Sequence, residues 1–137
     1  MTRRQLREQI FKLLFRIEFN SVEDMKEQCG LFFELSDEDT GADNIEKDSE
    51  EYIRGKYDDI MAHLDEIDAA INEKAKGWTT DRMGKVDLTI IRLAVYEIMF
   101  DDDIPTGVAI NEAVELAKDF GQDESYSFVN GVLGKFA

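Results

Sequence analysis

Three arginines, Arg3, Arg4 and Arg7, open the chain, and a guanidinium is the side chain best shaped to grip a phosphate with several donors at once. Residues 1–16 hold five basic side chains (Arg3, Arg4, Arg7, Lys12, Arg16) against Glu8 alone, in a chain of 137 residues whose formal charge is -15. A net charge of that sign argues against indiscriminate nucleic-acid binding, which needs local positive charge and counterion release. Its uneven distribution leaves one basic end on an acidic remainder. Arginines at a helix start also oppose the helix dipole, so they need another reason to be there, either plain solvation or a bound anion. At the other end, Phe128 and Lys135 lie seven residues apart on one helical flank, a spacing that suits a stacked base beside a phosphate. A core-edge role for Phe128 fits the same spacing.

The remaining reactive side chains point elsewhere. Cys29 is the only cysteine, so there is no internal disulfide and no thiol cluster for zinc, and its apolar neighbours suit a small buried side chain. His63 has no second histidine to share a metal and no motif that would make it a catalytic base, which suits a surface or boundary position. Asp37, Asp39 and Asp43 lie in an acidic stretch (SDEDTGADN, residues 36–44) that lacks the EF-hand spacing and reads as an exposed loop. Asp101, Asp102 and Asp103 precede Ile104-Pro105 and read as a solvated turn. No Gly-rich phosphate loop, nucleophile elbow, HExxH or CxxC occurs. The expectation is a protein with no catalytic residues, no metal and no cofactor.

These side chains must be positioned by helices. One proline, Pro105, and apolar residues recurring at three and four positions predict an all-α chain with no strand. The first helix, about 2–19, puts Leu6, Ile10, Leu13, Leu14 and Ile17 on one core stripe. Phe11, Phe15 and Phe19 project to another side, where a second packed layer would cover Phe11 and Phe19, with Phe15 less decided. Ser21 with Asp24 three positions on predicts a capped helix start, running to about Leu35. A helical region over 45–76, broken once, ends near Gly77. Val86 to Phe100 is apolar nearly all round and predicts the central helix, in which Arg92 needs an acidic partner such as Glu112 or Glu115. Helices from Thr106 to Phe120 and from about Ser125 complete the chain, with Asp123 or Ser125 as the last cap. No stretch is long and apolar enough for a membrane, and no signal peptide is evident, so the expected compartment is the cytoplasm.

The second half also carries motifs in a specific order. Val86-Asp87 leads to Ile91-Arg92-Leu93-Ala94-Val95-Tyr96-Glu97, then Asp103-Ile104-Pro105, then residues 109–121 (AINEAVELAKDFG), then Ser125 and Phe128-Val129-Asn130-Gly131-Val132-Leu133. In this order and spacing they resemble the NusB transcription antitermination family, and Arg7-Glu8 in the arginine-rich start matches as well. The resemblance covers almost the whole chain and is weakest over residues 20–76. It implies a single RNA-binding domain of about seven helices, in two packed subdomains of roughly 1–77 and 78–137 that share a core. It implies a protein that pairs with NusE, the small-subunit ribosomal protein, to bind boxA RNA and help the transcription elongation complex pass terminators, chiefly in ribosomal RNA operons. Carried onto this sequence, the RNA-binding residues are Arg3, Arg4, Arg7, Phe15, Glu124 and Phe128, and Asp87 is the partner-binding residue toward NusE. Phe15 stands where the family often has tyrosine, so a hydroxyl is missing there. Glu124 places a negative charge beside the RNA surface, which moderates affinity.

Two other readings compete. The same helical fold occurs as the N-terminal domain of RNA cytosine methyltransferases, but this chain is expected to end where such a catalytic domain would begin. A helical protein-protein adaptor without RNA binding fits the net charge, and the aromatic side of the first helix leaves a homodimer open.

Overall fold

The computed structural model describes residues 1–40 and 46–137, with 35–40 described by backbone alone. Among the described residues there are seven α-helices, two short 3₁₀ turns and no strand, so the all-α class agrees with the apolar periodicity and the number of helices with what the resemblance implied. They form two compact units, residues 1–59 and 60–137.

In the first unit, α1 (Arg3–Phe15) begins with a capping box. Thr2 Oγ1 accepts the Gln5 backbone N–H at 3.1 Å, and Gln5 Oε1 accepts the Thr2 N–H at 2.8 Å, satisfying two donors that a helix start otherwise leaves open. Ile10, Leu13 and Leu14 of the expected stripe are buried. The helix stops four residues earlier than expected. A 3₁₀ turn, Arg16–Glu18, follows, and the Asn20 side chain donates to the Arg16 carbonyl at 2.8 Å. That turn changes the rotation per residue and takes Phe19 off the stripe of Phe11. Phe11 is buried as expected, but Phe19 is 62% exposed, its ring edge-on to Phe15 at 5.1 Å.

Helix α2 (Val22–Thr40) starts where the capping signal placed it, the Asp24 N–H donating to Ser21 Oγ at 3.2 Å. It runs five residues beyond the expected end near Leu35. The stretch contains no glycine or proline to stop it before Gly41, so residues 36–40 continue the helix instead of forming a loop. The rest of the expected acidic loop, with Asp43, lies outside the described residues. Helix α3 (Lys47–Ala62) joins α2 through the Tyr57 hydroxyl, which is hydrogen-bonded to Cys29, and through the Arg54 guanidinium 4.5 Å from the Phe33 ring centre. Cys29 is half-buried, less enclosed than its neighbours suggested.

The expected break in the 45–76 region falls at His63, which precedes α4 (Leu64–Lys74) and stacks its ring on Phe100 at 4.1 Å. In the second unit α4 packs on α5 (Lys85–Phe100), and α5 packs on α6 (Thr106–Phe120) and α7 (Ser125–Gly134). From Leu88 to Glu97 every residue of α5 except Arg92 is buried, so it is the central helix of this unit. Arg92 is held by both oxygens of Asp68 at 2.8 Å, with side-chain exposures of 11% and 25%. Its bidentate partner is therefore an acid of α4, one that the sequence reading had not named beside Glu112 and Glu115 of α6. Asp68 could not be singled out earlier because pairing α4 with α5 is a tertiary fact. Between α5 and α6 the Asp101 carboxylate accepts the Asp103 N–H at 3.1 Å, fastening the turn before Pro105.

Candidate nucleic-acid interface

In the first unit, Arg3 and Arg4 occupy the first turn of α1, which contains no acidic residue, and both are exposed. Arg7, one turn on, is only 8% exposed. No buried side-chain nitrogen or oxygen among the described residues lacks a hydrogen-bond partner, so the enclosed part of Arg7 is satisfied within the protein. Phe15 lies at the far end of the helix, about 12 Å from Arg7 at 1.5 Å per residue. Its ring is part of a row, 6.1 Å from Phe11 and 5.1 Å from Phe19. The helix thus brings Arg3 and Arg4 together and leaves Phe15 with other aromatics.

In the second unit, Gly121 ends α6 and the chain turns at once into α7. A Cβ on Gly121 would collide with the Ser125 side chain and stand 2.7 Å from the Ala117 carbonyl oxygen, so the corner closes only around a glycine. Ser125, one of the two expected caps, is buried and turns its Oγ back to accept the Gln122 N–H at 2.9 Å. The N-cap position itself is taken by Glu124, which is exposed and makes no side-chain cap. Asp87 stands in the first turn of α5, where a carboxylate complements the helix dipole. It lines a recess of about 160 Å³ with Lys85, Gly121, Gln122 and Ser125, so the corner before α7 and the start of α5 share one depression.

Phe128, one turn into α7, is half-buried, and its ring meets Trp78 edge-to-face at 5.2 Å. Trp78 is 46% exposed, and the Arg82 guanidinium stands 5.6 Å from the centre of its ring. Nothing in the local sequence pattern singles out Trp78 as a surface residue. A signal for this neighbourhood was present in the charge pattern: residues 74–85 carry Lys74, Lys76, Arg82 and Lys85 against Asp81 alone, a second basic stretch in an acidic chain.

Other candidate chemistries do not assemble. Among the described residues no three acidic, histidine or cysteine side chains group as a metal site, and no helix is long and apolar enough to cross a membrane. Burial raises the Cys29 thiol above its ordinary pKa, the opposite of what activates a nucleophile.

Comparison with known proteins decides the family. Residues 4–137 match the model of the NusB family. The chain belongs to the NusB family. The transcription antitermination protein NusB of Agathobacter rectalis is 57% identical over 137 residues, covering the full length of both chains. That of Lachnoclostridium phytofermentans is 47% identical over 98% of each. Among solved structures, T. maritima NusB superimposes with a TM-score of 0.83 at 36% identity, covering 100% of this chain and 91% of its own. A structure of the antitermination factors NusB and NusE in complex with dsRNA contains a chain that matches with a TM-score of 0.77 at 30% identity, covering 99% of this chain and 97% of that one. The NusB fold and family are thus shared over the whole length, and the family is one of antitermination factors rather than enzymes.

Proposed function

We propose that this chain binds boxA RNA together with NusE and, in the cytoplasm, carries both to the transcription elongation complex to promote read-through of ribosomal RNA operons. The observation that supports this most directly is its NusB-family relative solved with NusE and RNA, a likeness that spans nearly the whole chain. In this reading Arg3 and Arg4 supply phosphate contacts and Phe128 offers a ring face to a base. Arg7, enclosed by the protein, acts by holding the first helix in place, and Phe15 acts through its aromatic row. Glu124, exposed one turn before Phe128, keeps RNA affinity low, and Asp87 faces NusE from the start of α5. NusE extends the surface, so two weak attachments add up to one firm complex.

The experiment is fluorescence anisotropy of a labelled single-stranded boxA RNA and a scrambled RNA, with and without NusE. The expected result is preference for boxA by about tenfold or more, a discrimination of about 1.4 kcal/mol, strengthened by NusE. Equal or absent binding to both RNAs in the presence of NusE overturns the proposal and leaves a protein-protein adaptor as the reading.

A further inference from the structure

The sole tryptophan of the chain is in an unusual position for so large an apolar side chain. Trp78 follows Gly77, whose φ of +87° is a conformation that glycine adopts without strain, and the Trp78 N–H closes the turn by donating to the Ala75 carbonyl at 2.8 Å. The turn is tied further by Arg82, whose guanidinium donates to the Gly77 carbonyl at 3.3 Å, and by the Thr80 N–H, which donates to Asn72 Oδ1 at 2.8 Å. A fixed loop therefore holds the indole where 46% of the residue meets solvent, although α5, which begins seven residues later, is buried through most of its length. Its edge contact with Phe128 and the guanidinium near its ring make a run of cation, indole and phenyl, all within the second unit. Around it, Lys74, Lys76, Arg82 and Lys85 are all exposed. Aromatic side chains that reach solvent among cations are what single-stranded nucleic acid uses: bases stack on the rings, here in place of the Arg82 guanidinium that lies over the indole, and phosphates follow the charges.

We propose that Trp78 is a second base-stacking residue beside Phe128, and that Arg82 with the lysines of 74–85 supplies phosphate contacts to the same strand. The inference rests on the RNA-binding reading above and extends it: two neighbouring nucleotides are held where a lone Phe128 would hold one. Because the two rings meet edge-to-face, the two bases stack at a steep angle to one another, and the strand bends as it crosses from Phe128 to Trp78. A splayed single strand accommodates such a bend, and a continuous duplex does not.

The chain carries its own probe, since Trp78 is its only tryptophan. Unlabelled boxA RNA is titrated into the full chain while indole emission is followed, and anisotropy of labelled RNA gives the binding curve independently. The expected result is quenching that saturates along the anisotropy curve, about tenfold weaker binding for Trp78→Ala, near-normal binding for Trp78→Phe and intermediate binding for Arg82→Gln. The quenching experiment uses the unmutated protein, so it decides even if Trp78→Ala folds poorly. If RNA binds by anisotropy while indole emission does not change, Trp78 is not a stacking residue and the RNA-binding reading survives. If no RNA binds with or without NusE, both fall together.

Discussion

At the scale of single residues, the structure separates side chains of one type by what surrounds them. Arg3, Arg4 and Arg7 are equivalent in sequence, yet two stand in solvent at a helix start and the third is enclosed. A guanidinium that stands in solvent meets a phosphate at little desolvation cost, whereas an enclosed one must first be uncovered. The Cys29 and Tyr57 pair shows the same dependence on surroundings in its protons. Burial is the main cause that lifts both groups above their ordinary values, and Tyr57 is pushed up further by the charge and hydrogen bond of Cys29 and by Asp58. Both are neutral in the fold and become anionic at high pH, so between the unfolded and folded values the native state binds more protons. Their contribution is complete below the unfolded values, about pH 8.5 for the thiol and 10 for the phenol, and declines as pH rises beyond them. Urea midpoints measured from pH 7 to 11 should therefore fall through that window, and less steeply in Tyr57→Phe. At pH 7 the same variant should lose about 0.5–1.5 kcal/mol with its hydrogen bond. An identical fall in both proteins would show that this pair does not govern the alkaline limb.

At the scale of elements, the features that sequence made legible are those with local causes. Apolar periodicity placed the helices, the Ser21 and Asp24 spacing placed the start of α2, and the all-round apolar run placed the central helix. What was not legible depends on geometry between elements. The 3₁₀ turn after α1 moved Phe19 into solvent, and the docking of α4 on α5 gave Arg92 its Asp68 partner. The α6 to α7 corner lies between these cases. Gly121 stands in the sequence directly after the expected end of a helix at Phe120, but the need for glycine comes from the Ser125 side chain packed against it, which only the fold reveals. Adding a methyl there forces the corner to open, and overpacking of this kind costs about 1–3 kcal/mol. Gly121→Ala should lower the urea-unfolding free energy by that amount and, by moving α7, weaken RNA binding through Phe128. Unchanged stability would mean that the corner opens freely and does not position α7.

At the scale of the whole molecule, charge decides how little of the surface RNA can use. The candidate site was legible in sequence as far as its charges and its family motifs were. The arginine start and Phe128 could be found there, while Trp78 could not, because nothing in its local pattern distinguishes an exposed indole from a core one. A chain at -15 repels a polyanion at long range, and residues 1–16 and 74–85 are the two stretches where basic side chains outnumber acidic ones by three or more. Salt acts on these two terms in opposite directions. It screens the repulsion of the acidic body, which is long-ranged, and it weakens phosphate contacts by restoring the counterion cost. Close contacts dominate once RNA is bound, so affinity should still fall as salt rises. For single strands each contact contributes about -0.7 to the slope of log K against log salt, so the six cations of the two stretches proposed to touch phosphate give at most roughly -4.2 before the screened repulsion is subtracted. Replacing both Arg3 and Arg4 by alanine should make the measured slope shallower by about 1.4, a difference that the body charge leaves nearly untouched because both proteins share it. The same slope in the double variant and the parent would remove the start of α1 from the phosphate contacts and leave the 74–85 stretch as the cationic part of the site.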